Sequence, residues 1–177
     1  MATPRRALSI DLQPQELRAL RRLLEEAFAG DFGEADWSSS LGGTHVLVEE
    51  SGLLVSHASV VPRRLRVGDR ELRTGYVEAV ATRPDRQRSG HASLVLAEVG
   101  AVIGEGFEIG ALSTGRPSLY ARLGWEMWRG PTFVEAPAGA ARTPDEDGGI
   151  MVLRTPATGP LDLDAPITCD WRPGDVW

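Results

Sequence analysis

Apolar residues recur at spacings of three and four along DLQPQELRALRRLLEEAFAG, residues 11–30. This periodicity predicts an amphipathic helix that ends near Gly30. The polar segment that follows, residues 31–43, predicts a loop or a second short helix. The apolar face of the first helix would consist of Leu17, Leu20, Leu24, Ala27 and Phe28.

Strand patterns dominate the next forty residues. HVLVEE and LLVSHASVV flank a Ser-Gly pair, while RRLRV and ELRTGYVEAVAT flank a Gly-Asp pair, so two hairpins are predicted. The later segments predict a helix from Gly90 to Glu105 with Val95, Val99 and Val102 on one face, a strand in FEIGALS, a short helix in GRPSLYARLG, and strands in EMWRGPTFVEAP and GGIMVLRT. We therefore expect one domain over residues 1–177, of the α/β (α+β) class, with a mostly antiparallel N-terminal half.

Composition and charge narrow the possible functions. The chain is 42% hydrophobic and 25% charged, which is typical of a folded protein, and its net charge of −6 argues against a nucleic-acid partner. No apolar run is long enough to span a membrane, and none follows the early arginines as in a signal peptide, so we expect a cytoplasmic protein. A single cysteine and three scattered histidines predict neither an internal disulfide nor a metal site.

One turn combines small residues with arginines, in VATRPDRQRSGHASLVL, residues 80–96. It lies where a predicted strand gives way to a helix, and the first N–H groups of a helix have no intrahelical partner and attract phosphate. Gly90 and Ala92 would let a pyrophosphate approach the backbone, and Arg86 and Arg88 would add positive charge. The alternative is a helix start that needs small residues for packing only.

Acidic residues accumulate in the last part of the chain. Between Thr143 and Trp177 there are seven, against two arginines. This excess is consistent with a solvated acidic tail or with a wall that binds cations.

The order of elements, the pattern Gln87-x-x-Gly90-x-Ala92 and the later SLYARLGW together resemble the GNAT superfamily of acetyl-CoA-dependent N-acetyltransferases. The resemblance implies a central, mostly antiparallel twisted sheet flanked by helices. It also implies that the turn wraps the pyrophosphate of coenzyme A.

Longer stretches are similar to the aminoglycoside 2′-N-acetyltransferases: AFAGDFGEADWSSSLGGTH, LRTGYVEAVATRPD, IGALS, TPDEDG and CDWRPGDVW. This resemblance implies acetylation of the 2′-amino group of aminoglycoside antibiotics, and hence resistance to them. It implies a homodimer as well. The substrate would be an aminoglycoside or a similar polycationic small molecule.

Two residues are candidates for the acid–base chemistry. Most aliphatic amines are protonated at neutral pH, so a base is needed, and Glu78 in YVEAV would serve directly or through water. Tyr120, whose ordinary pKa is about 10, would donate a proton to the leaving thiolate. The alternatives are a solvent-facing strand carboxylate and a packed helix tyrosine.

The family resemblance implies further contacts to both substrates. The Val80 N–H would hold the acetyl carbonyl, and the strand would pair with the pantetheine arm. Asp31 and Asp36 would instead be helix caps if they do not bind substrate. The implied co-substrate contacts are Val80, Ala81, Thr82, Gln87, Arg88, Ser89, Gly90, His91 and Ala92; the implied amine contacts are Asp31, Asp36, Glu78, Ala79, Ser113, Glu146, Asp147, Asp175 and the terminal carboxylate of Trp177.

The sequence is also compatible with two other functions. A GNAT enzyme could act on another small amine, a polyamine or a peptide N-terminus. A non-catalytic module of the same fold could sense acyl-CoA, although Glu78 and Tyr120 argue against it. Fold analogy alone does not fix the substrate.

Overall fold

The predicted N-terminal helix forms in the computed structural model, which describes residues 3–177, as helix α1, Pro14–Ala27. It starts where the Glu16 carboxylate accepts a hydrogen bond of 2.8 Å from the Gln13 N–H, which satisfies one of the unpaired N–H groups of the helix start. Its buried face, Leu20, Leu23 and Leu24, packs with Leu12, Leu47 and Ala81. Burial of this face stabilises the helix more than its intrinsic propensity does.

Residues 3–177 form four α-helices, three 3₁₀ helices of one turn each and ten strands. None of the helices in this part of the chain has the length and apolar character that a membrane span requires. The other α-helices are α2, Glu34–Ser39; α3, His91–Gly106; and α4, Pro117–Ala121. The strands are β1, Arg5–Leu8; β2, Thr44–Glu50; β3, Leu53–Val67; β4, Arg70–Thr82; β5, Ile109–Ser113; β6, Glu126–Met127; β7, Thr132–Ala136; β8, Gly139–Arg142; β9, Ile150–Arg154; and β10, Ile167–Cys169.

The chain divides into two compact units. The N-terminal unit comprises the residues up to Val61 together with Val77–Val102, and the C-terminal unit comprises Pro62–Tyr76 with Ile103–Trp177. The long strands β3 and β4 each contribute one segment to either unit. Whether the chain behaves as one domain, as the sequence suggests, stays a prediction.

In the N-terminal unit the sheet order is β1-β2-β3-β4. Strands β2 and β3 pair antiparallel from Thr44↔Val60 to Glu50↔Leu53. Ser51 and Gly52, which join them, have φ angles of 51° and 77°, the left-handed conformation that a two-residue hairpin turn requires. The predicted hairpin is therefore confirmed.

In the C-terminal unit the order is β6-β9-β5-β4-β3-β10-β7-β8. Pairing of β4 with β5, from Thr74↔Ile109 to Tyr76↔Ala111, is parallel, as is that of β10 with β7. The pairs β5–β9, β6–β9, β3–β10 and β7–β8 are antiparallel. The prediction of a mixed α/β fold with a mostly antiparallel sheet is confirmed.

Two details of the strand prediction were wrong. The sequence pattern broke a strand at Pro62, but β3 continues through it. Pro62 lies between the register with β2, which ends at Val60, and the register with β10, which begins at Leu65, so its missing N–H leaves both ladders intact. The prediction also missed β1, β8 and β10, which are too short, at three or four residues, to show a period.

Candidate functional site

Strand β4 contains a left-handed residue within the segment from Glu78 to Val80. Ala79 has a φ of +50°, which is unfavourable for a residue with a Cβ. Such a residue inside a strand interrupts the regular alternation of the backbone and turns the neighbouring N–H and C=O groups in a new direction. Backbone strain of this kind concentrates at functional sites.

Side chains of β3 bind the backbone of this irregular segment within the N-terminal unit. His57 Nδ1 lies 2.9 Å from the Ala79 carbonyl oxygen. The Ser56 hydroxyl donates to the Ala81 carbonyl at 2.9 Å and lies 2.8 Å from the hydroxyl of Thr82. The conformation of residues 79–82 is therefore held by side chains as well as by strand pairing. Glu78, the candidate base, is half-buried beside them.

The arginine-rich turn joins β4 to α3 in the same unit. Arg88 and Gly90 have positive φ angles of 61° and 84°, and the Gly90 carbonyl accepts the first helical hydrogen bond, from the Leu94 N–H, at 3.1 Å. Left-handed residues set among ordinary ones turn successive N–H groups toward one concave side, which suits an anion. The ring of His91 is buried, with Nε2 at 3.3 Å from Glu50 Oε1, so this side chain fixes the turn against β2.

The surroundings of Gly90 leave room for a ligand. A Cβ atom built on this residue would have no atom of the protein within 4 Å. The small residue is therefore required by the backbone angle and not by packing within the protein. The turn residues from Gln87 to Gly90 are all exposed, while Ala92 is half-buried in the first turn of α3.

Asp31 and Asp36 lie in the N-terminal unit, on either side of the start of α2. The Asp36 carboxylate accepts a hydrogen bond of 2.7 Å from the Gly33 N–H and so stabilises the first turn of that helix, as the capping interpretation predicts. Asp31 is exposed and its N–H donates to the Phe28 carbonyl at 3.0 Å. Both carboxylates are accessible at the surface of the unit.

In the C-terminal unit, Glu146 is the centre of a group of acidic side chains. It is half-buried, and the Ser113 hydroxyl donates to its Oε2 at 3.0 Å. Burial raises the pKa of Glu146; the Ser113 hydrogen bond opposes the rise, and the negative charges of Asp175 and Asp145 add to it. A bound cation would relieve this repulsion, so the group has the electrostatics of a site for an ammonium ion.

Asp147 follows directly in the chain but has a different environment. Both of its oxygens accept hydrogen bonds from the Arg142 guanidinium, at 2.9 and 2.6 Å, and the N–H and hydroxyl of Thr132 donate to Oδ1. These hydrogen bonds, that of Arg142 first, hold the pKa of Asp147 far below its usual range. Its carboxylate thus fixes the segment that carries Glu146.

The last residues of the chain pack onto the same segment. Trp177 is 2% exposed, and its indole N–H donates to the Thr143 hydroxyl at 3.0 Å. Arg172 donates to the backbone carbonyl of Asp175, at 2.6 Å, and to the terminal carboxylate of Trp177, at 2.8 Å. These contacts order the tail and bring Ser113, Glu146, Asp147, Asp175 and Trp177 together in the C-terminal unit.

The supporting residues Arg142, Thr143 and Arg172 were not among the predicted site residues. Arg172 had a signal, since it stands inside the motif DWRPGDVW and is one of two arginines in the acidic tail. Thr143 opens the motif TPDEDG, but its partner Trp177 is 34 residues away, so the motif alone did not indicate the contact. Arg142 lies only five residues before its partner Asp147, in a polar segment without a recognisable motif.

Tyr120 lies in α4, in the C-terminal unit. Its side chain is 6% exposed and packs edge-on against Trp125, with ring centroids 6.0 Å apart. Burial raises the pKa of Tyr120 to about 12, and the charge of Arg116 opposes the shift. The phenol therefore remains protonated throughout the neutral range and is able to act as a hydrogen donor.

No cluster of three or more metal-binding side chains occurs within residues 3–177.

Residues 10–128 match the family described as the acetyltransferase (GNAT) domain. An aminoglycoside 2′-N-acetyltransferase of Mycolicibacterium fortuitum is 46% identical over 179 residues, covering 99% of this chain and 92% of that protein.

Solved structures show the same fold at low sequence identity. A GNAT family N-acetyltransferase from Escherichia coli in complex with CoA has a TM-score of 0.67 and 16% identity, over 97% of this chain and 89% of that chain. A GNAT family acetyltransferase from Brucella melitensis in complex with acetyl-CoA has a TM-score of 0.61 and 16% identity, over 93% and 94%. Three larger structures also match, two GCN5-related N-acetyltransferases and one probable N-acyltransferase, and this chain spans only 33% to 34% of their length. The chain belongs to the GNAT acetyltransferases and, among them, to the family of the M. fortuitum aminoglycoside 2′-N-acetyltransferase.

Proposed function

We propose that this protein transfers the acetyl group of acetyl-CoA to the 2′-amino group of aminoglycoside antibiotics and thereby confers resistance to them. The observation that carries the proposal is the 46% identity to the M. fortuitum enzyme, because it extends over 99% of the chain. A homodimer, a cytoplasmic location and the lack of a nucleic-acid partner stay predictions.

The residues of the turn fit the pyrophosphate of acetyl-CoA. Gly90 has open space where a side chain would be, the N-terminus of the 16-residue helix α3 lies next to it, and the backbone around Arg88 is concave. Backbone N–H groups of the turn would bind the phosphate oxygens and Arg88 would add charge, while Val80, Ala81 and Thr82 would pair with the pantetheine arm.

Three groups would carry the chemistry. Glu78 would remove a proton from the amine, directly or through water, so that its nitrogen lone pair is free to attack. The Val80 N–H would donate to the acetyl oxygen as negative charge develops there. Tyr120, which is protonated at neutral pH, would give its phenolic proton to the departing thiolate as the bond between carbon and sulfur breaks, and would regain a proton from solvent afterwards.

The acidic groups would recognise the polycation. In the N-terminal unit these are Asp31, Asp36 and Glu78 with the Ala79 backbone, and in the C-terminal unit Ser113, Glu146 and Asp175. Asp147 and Trp177 would act mainly by ordering the segment of Glu146. The Asp147 carboxylate and the Trp177 indole already have partners, and the terminal carboxylate of Trp177 accepts a hydrogen bond from Arg172. Several charge contacts to one polycation would discriminate against neutral sugars.

The Glu146 side chain offers a direct test of this recognition. We expect Glu146→Gln to raise the KM for a 2′-amino aminoglycoside about tenfold, since it removes one charge-assisted contact, with little effect on the KM for acetyl-CoA. Because burial raises the pKa of Glu146, the wild-type KM should begin to rise on acidification at a higher pH than for an ordinary glutamate. Steady-state kinetics against pH would measure both effects.

The matched control is Asp69→Asn, which removes one negative charge from an exposed turn of the same unit. It should leave both KM values unchanged. Equal effects of the two substitutions would show that net charge, and not the Glu146 site, governs affinity.

The proposed reaction is tested most sharply with two substrates that differ at one position. Kanamycin B has an amino group at the 2′ position and kanamycin A has a hydroxyl group there. In a coupled assay of thiol release, we expect turnover with kanamycin B and none with kanamycin A. Saturable turnover of spermidine or a peptide N-terminus, with neither kanamycin acetylated, would instead support the broader small-amine acetyltransferase.

A further inference from the structure

Four polar groups form a continuous hydrogen-bonded chain through the N-terminal unit. The Ser9 hydroxyl lies 2.7 Å from His45 Nε2, His45 Nδ1 lies 2.9 Å from His57 Nε2, and His57 Nδ1 lies 2.9 Å from the Ala79 carbonyl oxygen. Both imidazoles are completely buried, each with 0% exposure. The chain links the end of β1 to the left-handed residue of β4 through β2 and β3.

Hydrogen bonds along this hydrogen-bonded chain are all donated in one direction, toward the Ala79 carbonyl oxygen at its end. A carbonyl oxygen only accepts hydrogen bonds, so His57 must carry its proton on Nδ1 and accept on Nε2. His45 must then donate from Nδ1 and accept on Nε2 from the Ser9 hydroxyl. Both histidines are thereby assigned to the same tautomer, the one with the proton on Nδ1.

The other end of the chain supports the same direction. The N–H groups of Gly42 and Gly43 lie 2.9 and 3.2 Å from the Ser9 oxygen and donate to it. The Ser9 proton is therefore directed away from them, and His45 Nε2, at 2.7 Å, is nearer than the alternative acceptor, the Gly43 carbonyl, at 3.2 Å.

The two histidines stay neutral in the physiological range. Burial lowers the pKa of His45 to about 4, and burial together with the neighbouring His45 lowers the pKa of His57 to about 3. The hydrogen-bonded chain ends at the Ala79 carbonyl oxygen, which cannot pass a proton onward. It is therefore suited to orienting this carbonyl group and not to transferring protons.

We propose that His57, oriented by His45 and Ser9, is a positioning residue that holds the Ala79 carbonyl and so sets the direction of the Val80 N–H. Alanine lacks the conformational freedom of glycine, so its left-handed backbone persists only where the surroundings impose it. The Ala79 carbonyl and the Val80 N–H belong to one planar peptide group, and fixing the first therefore fixes the second. The inference rests on the proposed function, in which that N–H binds the acetyl oxygen.

A pair of substitutions at position 57 separates this role from simple packing. His57→Phe fills the space of the ring but has no donor, and we expect kcat for the amine substrate to fall about 10- to 100-fold, as misalignment of reacting groups does. The Kd of acetyl-CoA should change less than about twofold, since the pantetheine and pyrophosphate contacts remain. His57→Asn places an amide N–H at the position of Nδ1 and should restore most of kcat.

The control for general destabilisation is Val46→Ala, which removes buried methyl groups from β2 of the same unit. Val46 follows His45 directly in the strand, so its side chain points to the opposite face from the His45 ring. Its thermal stability should fall while kcat is kept. An unchanged kcat in His57→Phe, or an equal loss in His57→Phe and His57→Asn, would overturn the positioning role.

The tautomers are measured on the wild-type protein, without turnover. In nitrogen-15 histidine spectra between about pH 6 and 8, where an ordinary histidine titrates, both residues should show a protonated Nδ1 and an unprotonated Nε2. A proton on Nε2 of His57 would overturn the proposal even if His57→Phe were to fail to fold. If the protein acetylates another amine and not kanamycin B, kcat is compared with that amine. If it acetylates no amine, the proposed function is overturned, but the histidine tautomers would still establish the hydrogen-bonded chain.

Discussion

Replacement of Tyr120 by phenylalanine is expected to lower kcat about 100-fold or more, which is the usual contribution of a general acid. The proposed role of the phenol is to protonate the thiolate as it leaves, a step that occurs after both substrates are bound. The KM for the aminoglycoside and the Kd of acetyl-CoA should therefore change little. Pre-steady-state kinetics would detect the loss even if product release limits the wild-type rate.

The substitution should leave the fold intact. The Tyr120 ring is buried edge-on against Trp125, and phenylalanine keeps that contact. The chain offers a matched control in its only other tyrosine, Tyr76, whose ring lies beneath the guanidinium of Arg63 at 4.7 Å. Tyr76→Phe makes the same chemical change and should keep kcat. A similar loss in both variants would show that the effect is structural.

The pKa of Tyr120 also makes the free energy of unfolding depend on pH. Burial raises it to about 12, above the ordinary value near 10, so the folded protein holds the proton more tightly than the unfolded chain does. The stabilisation of the folded state by the protonated phenol is complete below about pH 10 and is lost as the pH rises toward 12. Tyr120→Phe should remove this part of the alkaline destabilisation, which chemical denaturation at several pH values would measure.

Local signals in the sequence were sufficient to predict part of the site. The turn from Gln87 to Ala92 could be recognised because its signals lie within six consecutive residues. They are Gly90, the small residues Ser89 and Ala92, and the start of a helix. The helix α1 and the hairpin around Ser51 and Gly52 followed from period and turn chemistry for the same reason. Acidic residues near the C-terminus were visible as an excess of charge, although not as a cluster around Glu146.

The remaining features depend on contacts between distant segments. Nothing near Ala79 in the sequence indicates that its carbonyl binds His57, since the two are joined only by the register of β3 and β4. The hydrogen bonds from Thr132 to Asp147 could not be predicted either, because Thr132 lies on β7, a separate element. Strand β10 has three residues, and its place between β3 and β7 is set by its neighbours.

Replacement of Gly90 by glutamate is expected to reduce acetyl-CoA affinity at least about 100-fold. A carboxylate would enter the open space beside the turn and meet the negatively charged pyrophosphate there, and juxtaposed like charges cost several kcal/mol. The same charge is favourable for the helix itself, because an anion at the start of α3 interacts well with the unpaired N–H groups and the helix dipole. The fold should therefore persist, and the aminoglycoside contacts should be kept.

The matched control is Gly90→Ala, because any residue with a Cβ is strained at a φ of +84°. Alanine introduces that strain without charge and with little bulk, so its loss of affinity should be much smaller than that of glutamate. Titration calorimetry with acetyl-CoA would measure both affinities, and circular dichroism on heating would verify that both variants are folded. Equal losses in the two variants would assign the effect to backbone strain, whereas wild-type affinity in folded Gly90→Glu would show that the pyrophosphate binds elsewhere. A large loss confined to glutamate would mean that the phosphate groups occupy the space beside Gly90, because a negative charge there prevents binding whereas the backbone strain that alanine shares does not.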